Sequence, residues 1–188
     1  MNQSFYSEAL DVLSQIEDVI DNSDLKYQTH YHYLLGWALK MDKNFEDSIF
    51  NLKKVLELDK SSEYSNESIQ RLSEVEVELV NLAIEDNDSK NFNEAAAKLY
   101  QAYMIDKNKP SNQNYLYFSA GSLVNAQDYE TALSHYINLK DIGYTGVQNQ
   151  YFVTEVESEN EIEVSESEYN ILKSSKEYKN QRTQKSES

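Results

Sequence analysis

Cysteine is absent from the 188 residues. That removes a disulfide framework, a thiolate nucleophile, and Cys-ligated zinc or iron–sulfur centres. Proline occurs once and glycine four times. Glycines this few and scattered exclude the usual phosphate-cradling loop. Bases are scarce as well: 17 Lys and Arg stand against 33 Asp and Glu, a net charge of -16. A nucleic-acid groove needs a basic footprint to displace counterions, so that function is not expected. No apolar run approaches the roughly 20 residues of a membrane-spanning helix. Residues 1–20 carry acids where a secretory signal carries a basic start. What the chain does have is aromatics, 12% of the residues and 15 of them Tyr, enough to build a core.

Those aromatics recur in a fixed frame. An aromatic is followed three places on by a small residue at Tyr6 and Ala9, Phe45 and Ser48, Phe92 and Ala95, and Tyr129 and Ala132. Four further on come Leu13, Leu52, Leu99 and Tyr136, and three beyond those Ile16, Val55, Ala102 and Leu139. Offsets of three, four and three hold these side chains on one helical stripe. Four amphipathic helices are therefore expected near 5–20, 44–58, 91–105 and 128–141. The last three follow another helical segment with a small residue nine places before the aromatic: Gly36, Ala83 and Ala120. Small residues let two helices approach closely, so Gly36 should face Ser48, Ala83 should face Ala95, and Ala120 should face Ala132. The short polar links at 42–44, 88–91 and 127–128 suit antiparallel hairpins.

This pattern resembles tetratricopeptide (TPR) repeats, whose period is about 34 residues. The match runs through Leu35, Gly36, Leu39, Phe45, Ser48, Leu52 and Val55, then Leu82, Ala83, Phe92, Ala95, Leu99 and Ala102. It continues through Ala120, Leu123, Tyr129, Ala132, Tyr136 and Leu139. The stretch from Tyr129-Glu130 to Gly143-Tyr144-Thr145-Gly146 is also similar to TPR proteins common in Bacteroidetes bacteria. The resemblance implies an all-α fold, a right-handed superhelix of antiparallel helix hairpins. Its boundaries are a half repeat at 1–21 and full repeats at about 27–60, 67–107 and 113–144, together a domain at 1–146. The aromatics lie 39, 47 and 37 residues apart (6 to 45, 45 to 92, 92 to 129). The excess falls between repeats, and 65–87 is expected as one long helix. The pattern opens on a second helix with no first helix before it. A solenoid end without a cap exposes an apolar face. A fragment, or cover by another chain, is expected. Read as complete, the chain is cytoplasmic; read as cut at its N-terminus, it is periplasmic or of the cell envelope.

Beyond Gly146 the pattern changes, and 147–188 forms a second region. Residues 151–156 and 161–164 alternate with period two around a polar turn, which predicts a β-hairpin. Ser165 and Glu168 resemble a capping box ahead of a short helix at 166–178. From Lys179 the polar, basic tail should fray. Charge is uneven along the chain. Residues 141–172 hold eight acids and no base, and 173–188 hold five bases and two acids. Seven Glu crowd 155–168. They are expected as a solvated face that blunts a strand edge, and a basic partner, if there is one, belongs there.

Catalytic constellations are not found. His30 and His32 fall about 200° apart on a helix and cannot share a metal as an i, i+4 pair would. His135 is remote from both, and no Ser–His–acid triad is recognisable. Neither cofactor nor metal is expected, and no enzyme activity. The first helices carry the more useful signal. In TPR arrays they line the concave groove, so the resemblance implies a groove of Tyr33, Trp37, Lys40 and Met41, then Val80, Ile84 and Asn87, then Tyr117, Gly121, Val124 and Asn125. TPR domains that grip a chaperone carboxyl terminus place Lys and Asn where this chain has Tyr33 and Trp37. A carboxylate clamp is therefore not expected. The function expected is a non-catalytic scaffold that binds a peptide or helix of a protein partner in an aromatic groove. The alternative is a structural element that self-associates through its uncapped N-terminal helix.

Overall fold

The structure is a computed structural model that describes residues 3–164 and 166–187. It is mostly helical, with a small three-stranded antiparallel sheet at the C-terminus. The chain divides into two compact units, 1–139 and 140–188. Helices α1 (Gln3–Ser14), α2 (Glu17–Ile20), α3 (Leu25–Met41), α4 (Phe45–Leu58), α5 (Glu63–Asp88), α6 (Phe92–Ile105), α7 (Gln113–Asn125) and α8 (Tyr129–Asp141) follow in order. A 3₁₀ turn at Pro110–Asn112 leads into α7. Proline suits that place, where its missing N–H has no helical partner to lose.

Three links between consecutive helices are built alike. Lys43, Lys90 and Gln127 each take a left-handed backbone, with φ of 66°, 63° and 65°. The following N–H reaches back five residues in each: Asn44 to Leu39 O at 2.9 Å, Asn91 to Asp86 O at 2.8 Å, and Asp128 to Leu123 O at 2.9 Å. This is the Schellman arrangement, which satisfies orphan carbonyls and reverses the chain. The next residue but one starts the following helix, so α3–α4, α5–α6 and α7–α8 are joined by one recurring turn.

The α3–α4 and α5–α6 stripes pack as their spacing dictates. Ser48 donates its hydroxyl to Gly36 O at 2.7 Å, which places the small residues of α3 and α4 face to face. A Cβ on Gly36 would sit 2.8 Å from Leu52 Cγ, so only glycine permits this approach. Ala83, Ala95 and Leu99 form one buried cluster, and Ala96, Leu123 and Ala132 another. The largest cluster joins α3 to α6 through Tyr33, Phe45, Leu52, Val55, Leu72, Val75, Leu79 and Ala102.

The N-terminal helix departs from the expected 5–20. It breaks after Ser14, whose hydroxyl donates back to Asp11 O at 2.8 Å, and Gln15 and Ile16 make tighter bonds three residues back. Such side-chain bonds compete with helix continuation.

In the C-terminal unit, β1 (Val147–Glu155), β2 (Glu161–Val164), α9 (Glu166–Leu172) and β3 (Tyr178–Glu187) form a sheet in the order β2-β1-β3. The expected hairpin is present, with Val153 opposite Ile162 and Tyr151 opposite Val164. The tail expected to fray is instead β3, paired antiparallel with β1 from Val147↔Glu187 to Glu155↔Tyr178. Helix α9 ends at Leu172 rather than near 178 because the chain turns there to enter β3. Ser165 of the expected capping box lies outside the described residues. One sheet face buries Val153 completely and sets Tyr151 5.1 Å from Tyr169 of α9. On the other face the Arg182 guanidinium lies 4.0 Å from the Phe152 ring centroid. Arg182 also grips Glu161 with both ends, Nε to Oε1 at 2.6 Å and Nη2 to Oε2 at 2.5 Å. Lys179 reaches Glu159 at 3.2 Å. The acidic row therefore meets basic partners supplied by its own unit, and Arg182 holds the Glu161 carboxyl below the usual range through those hydrogen bonds.

Candidate functional site

The largest convergence of the expected groove residues lies between α5 and α7. Val80, Ile84 and Asn87 come from one wall, and Tyr117, Gly121 and Asn125 from the other. Their spacing is that of one helix face, at offsets of four and three on α5 and two offsets of four on α7. They enclose an open cavity of about 690 Å³. Nothing lies within 4 Å of a Cβ built on Gly121, so its missing side chain leaves the floor open. Phe118 and Tyr136 complete the aromatic wall, with the Tyr117 and Tyr136 rings edge-to-face at 6.3 Å.

Polar groups brace the two walls. The Ser122 hydroxyl donates to Asn87 Oδ1 at 3.0 Å, tying α7 to α5 at the rim. The Tyr115 hydroxyl donates to Glu76 Oε1 at 3.0 Å. Burial, reinforced by that carboxylate, pushes the Tyr115 phenol up to about 12. Asp88 is the charged residue of the lining, and no Lys, Arg or His joins it. The surface offers apolar and aromatic contact, amides and one carboxylate. It suits an apolar or aromatic segment and offers an anionic terminus no basic side chain to pair with.

The rest of the expected groove is distributed elsewhere. Tyr33 is only 4% exposed and belongs to the core, which corrects its assignment as a groove contact. Its ring lies 5.2 Å from Tyr64, and Glu67 and Arg71 neighbour its hydroxyl. The cause is the length of α5, whose first three turns reach back over α3 and cover it. Burial pushes the Tyr33 phenol up, and Glu67 adds to the shift. Trp37 sits under the Arg71 guanidinium at 4.8 Å and, with Met41, lines a different cavity against α1. Lys40 pairs with Glu74 at 2.5 Å, and Arg71 shares that carboxylate at 3.0 Å. Lys40, then Arg71, hold the Glu74 carboxyl below its ordinary range. Val124 is 41% exposed on α7 but does not line the cavity.

Phe118 and Tyr136 are lining residues that sequence reasoning missed. The signal for Phe118 was present: two adjacent aromatics at 117 and 118 span about 100° of helix circumference and widen one apolar face. Tyr136 sits on the repeat stripe and was expected inside a hairpin, yet it is 38% exposed. The histidines serve packing. His30 stacks on Tyr64 at 4.6 Å, His32 Nδ1 meets Asn51 Oδ1 at 2.8 Å, and His135 stacks on Tyr100 at 4.9 Å. Burial lowers the His135 pKa, partly opposed by Asp128. Among the described residues no group of three or more His, Asp or Glu could hold a metal ion, and no helix is long and apolar enough to cross a membrane.

Comparison with protein-family models, curated proteins and solved structures finds no match.

Proposed function

We propose that residues 1–139 form a TPR-like helical-repeat scaffold, a non-catalytic module that binds a peptide or helix of a protein partner. The observation that carries this reading is the α5–α7 cavity. Six groove positions expected from the repeat pattern meet there around open space, with aromatic walls and unshielded apolar surface. Ile84 is 53% exposed, Phe118 48% and Tyr117 37%, so the lining presents large apolar side chains to a ligand. Three identical inter-helix turns and the small-residue contacts between hairpin partners support the repeat architecture.

The ligand class follows from the lining. An extended or helical segment with one or two large apolar side chains fills the cavity, and Asn87 and Asn125 meet its backbone. The test is selection of peptides from a random library on the full chain, followed by titration against Ile84→Asp. Ile84 is too exposed for this change to harm folding, so selected peptides should bind the variant at least about tenfold more weakly. Undiminished binding of every selected peptide removes the cavity from the account.

A further inference from the structure

The α5–α7 cavity has two unlike ends. Two hydrogen bonds set its walls parallel: Tyr115 to Glu76 at 3.0 Å and, further along both helices, Ser122 to Asn87 at 3.0 Å. Val80 and Ile84 therefore stand level with Tyr117 and Phe118 in an apolar half, and Asn87 and Asp88 with Ser122 and Asn125 in a polar half. Both helices end in that polar half, α5 at Asp88 and α7 at Asn125. A helix C-terminus is the negative end of its macrodipole and favours Lys, Arg or His. Neither last turn holds one. Asp88 stands there instead, exposed, at the end where an acid is unfavourable. Asp86 beside it is paired with Lys98 at 2.5 Å, whereas Asp88 has no ion-pair partner among the described residues. Lys90, two residues on, lies outside the lining. A local rule broken without compensation inside the fold points to compensation from a ligand.

We infer that the partner segment carries a Lys or Arg beside its apolar anchor, and that this cation seats at the Asp88 end of the cavity. The inference rests on the reading of this cavity as the partner site. Two negative helix ends, the Asp88 carboxylate and the Asn125 amide oxygen meet one cation there, and no lining base repels it. The apolar stem of the Lys or Arg runs along Ile84 and Phe118, both half exposed. An acidic segment meets like charge at the same end, so the site discriminates by charge. Ile84 and Asp88 are about one helical turn apart, roughly 6 Å. That span matches one turn of a ligand helix or two residues of an extended ligand, which puts the base four or two positions from the anchor.

The probes are peptides selected from a random library on the full chain and resynthesised with acetylated and amidated ends. Their base is then neutralised in place, Arg to citrulline or Lys to acetyl-lysine. Neutralisation should weaken binding to the parent chain at least about threefold, and Asp88→Asn should weaken the unmodified peptide by the same factor. The two changes together should cost no more than either alone. Asp88→Asn removes an acid from a helix C-terminus, so it should melt no lower than the parent. Selected peptides with no base at either spacing, unchanged affinity in Asp88→Asn, or losses that add independently overturn the inference. A lower melting temperature gives Asp88 a structural role and overturns it too. Each of these leaves the cavity standing as the partner site while Ile84→Asp still weakens binding. Indifference to Ile84→Asp removes both.

Discussion

At the scale of single residues, two positions carry measurable consequences. Gly36 is held by its approach to Leu52, which is fully buried and backed by its own helix. Gly36→Ala gains up to about 1 kcal/mol of helix propensity but forces Leu52 aside in a packed core. A net loss of about 1–2 kcal/mol is expected in denaturant unfolding of the full chain, with the slope unchanged. His135 is the second. Its folded pKa is depressed by burial, so the folded state favours neutral imidazole. A depressed pKa gives stability that is full above the unfolded value of about 6.5 and lost as pH falls through the folded value. Thermal melts should therefore decline as pH falls below about 6.5, and His135→Gln should flatten that part of the profile. Glu74 works in the same sense at lower pH: held down by Lys40 and Arg71, it loses its contribution as the carboxyl protonates. Both residues were nameable in advance to different degrees. The repeat frame singles out Gly36, because only a small residue fits nine places before the aromatic. It is silent on His135, whose burial depends on Tyr100 and Ser119 from two other helices.

At the scale of elements, the turns and the sheet differ in how their sequences encode them. The α3–α4, α5–α6 and α7–α8 turns place a long side chain in left-handed backbone, a conformation that costs roughly 1 kcal/mol or more for residues other than glycine. Lys90 is exposed with φ of 63°, so Lys90→Gly should raise stability by about 1 kcal/mol in the same unfolding measurement. A loss would mean that the turn does not hold this geometry in solution. The helices were legible because each buries a stripe, and a stripe leaves a period. Strand β3 was not, because it does not alternate between apolar and polar residues. It is held by backbone pairing to β1 and by Arg182, which covers Phe152 and grips Glu161. No local pattern reports such partners 21 to 40 residues away. Limited proteolysis is the check: Arg182→Ala should open cleavage within 178–187 at protease levels that leave the parent chain intact.

At the scale of the whole molecule, each unit stands on its own chemistry. The C-terminal unit neutralises part of its acidic row internally through Arg182 and Lys179. The helical unit keeps apolar surface in two concavities, and the groove expected from the repeat resemblance is split between them. Residues of α5 and α7 converge as their spacing required, since both helices show one face to common space. Trp37 and Met41 belong to the α1 side, and Tyr33 to neither, because α5 runs 26 residues and its first turns cover α3. That length was legible; its effect on Tyr33 required the packing. The central claim is that the α5–α7 cavity is the partner site, and amide hydrogen exchange with a selected peptide tests it most directly. Slowed exchange confined to residues 80–88 of α5 and 117–125 of α7, and abolished by Gly121→Trp without change in melting temperature, is the predicted result. Protection elsewhere, or binding undisturbed when that open floor is filled, would contradict it.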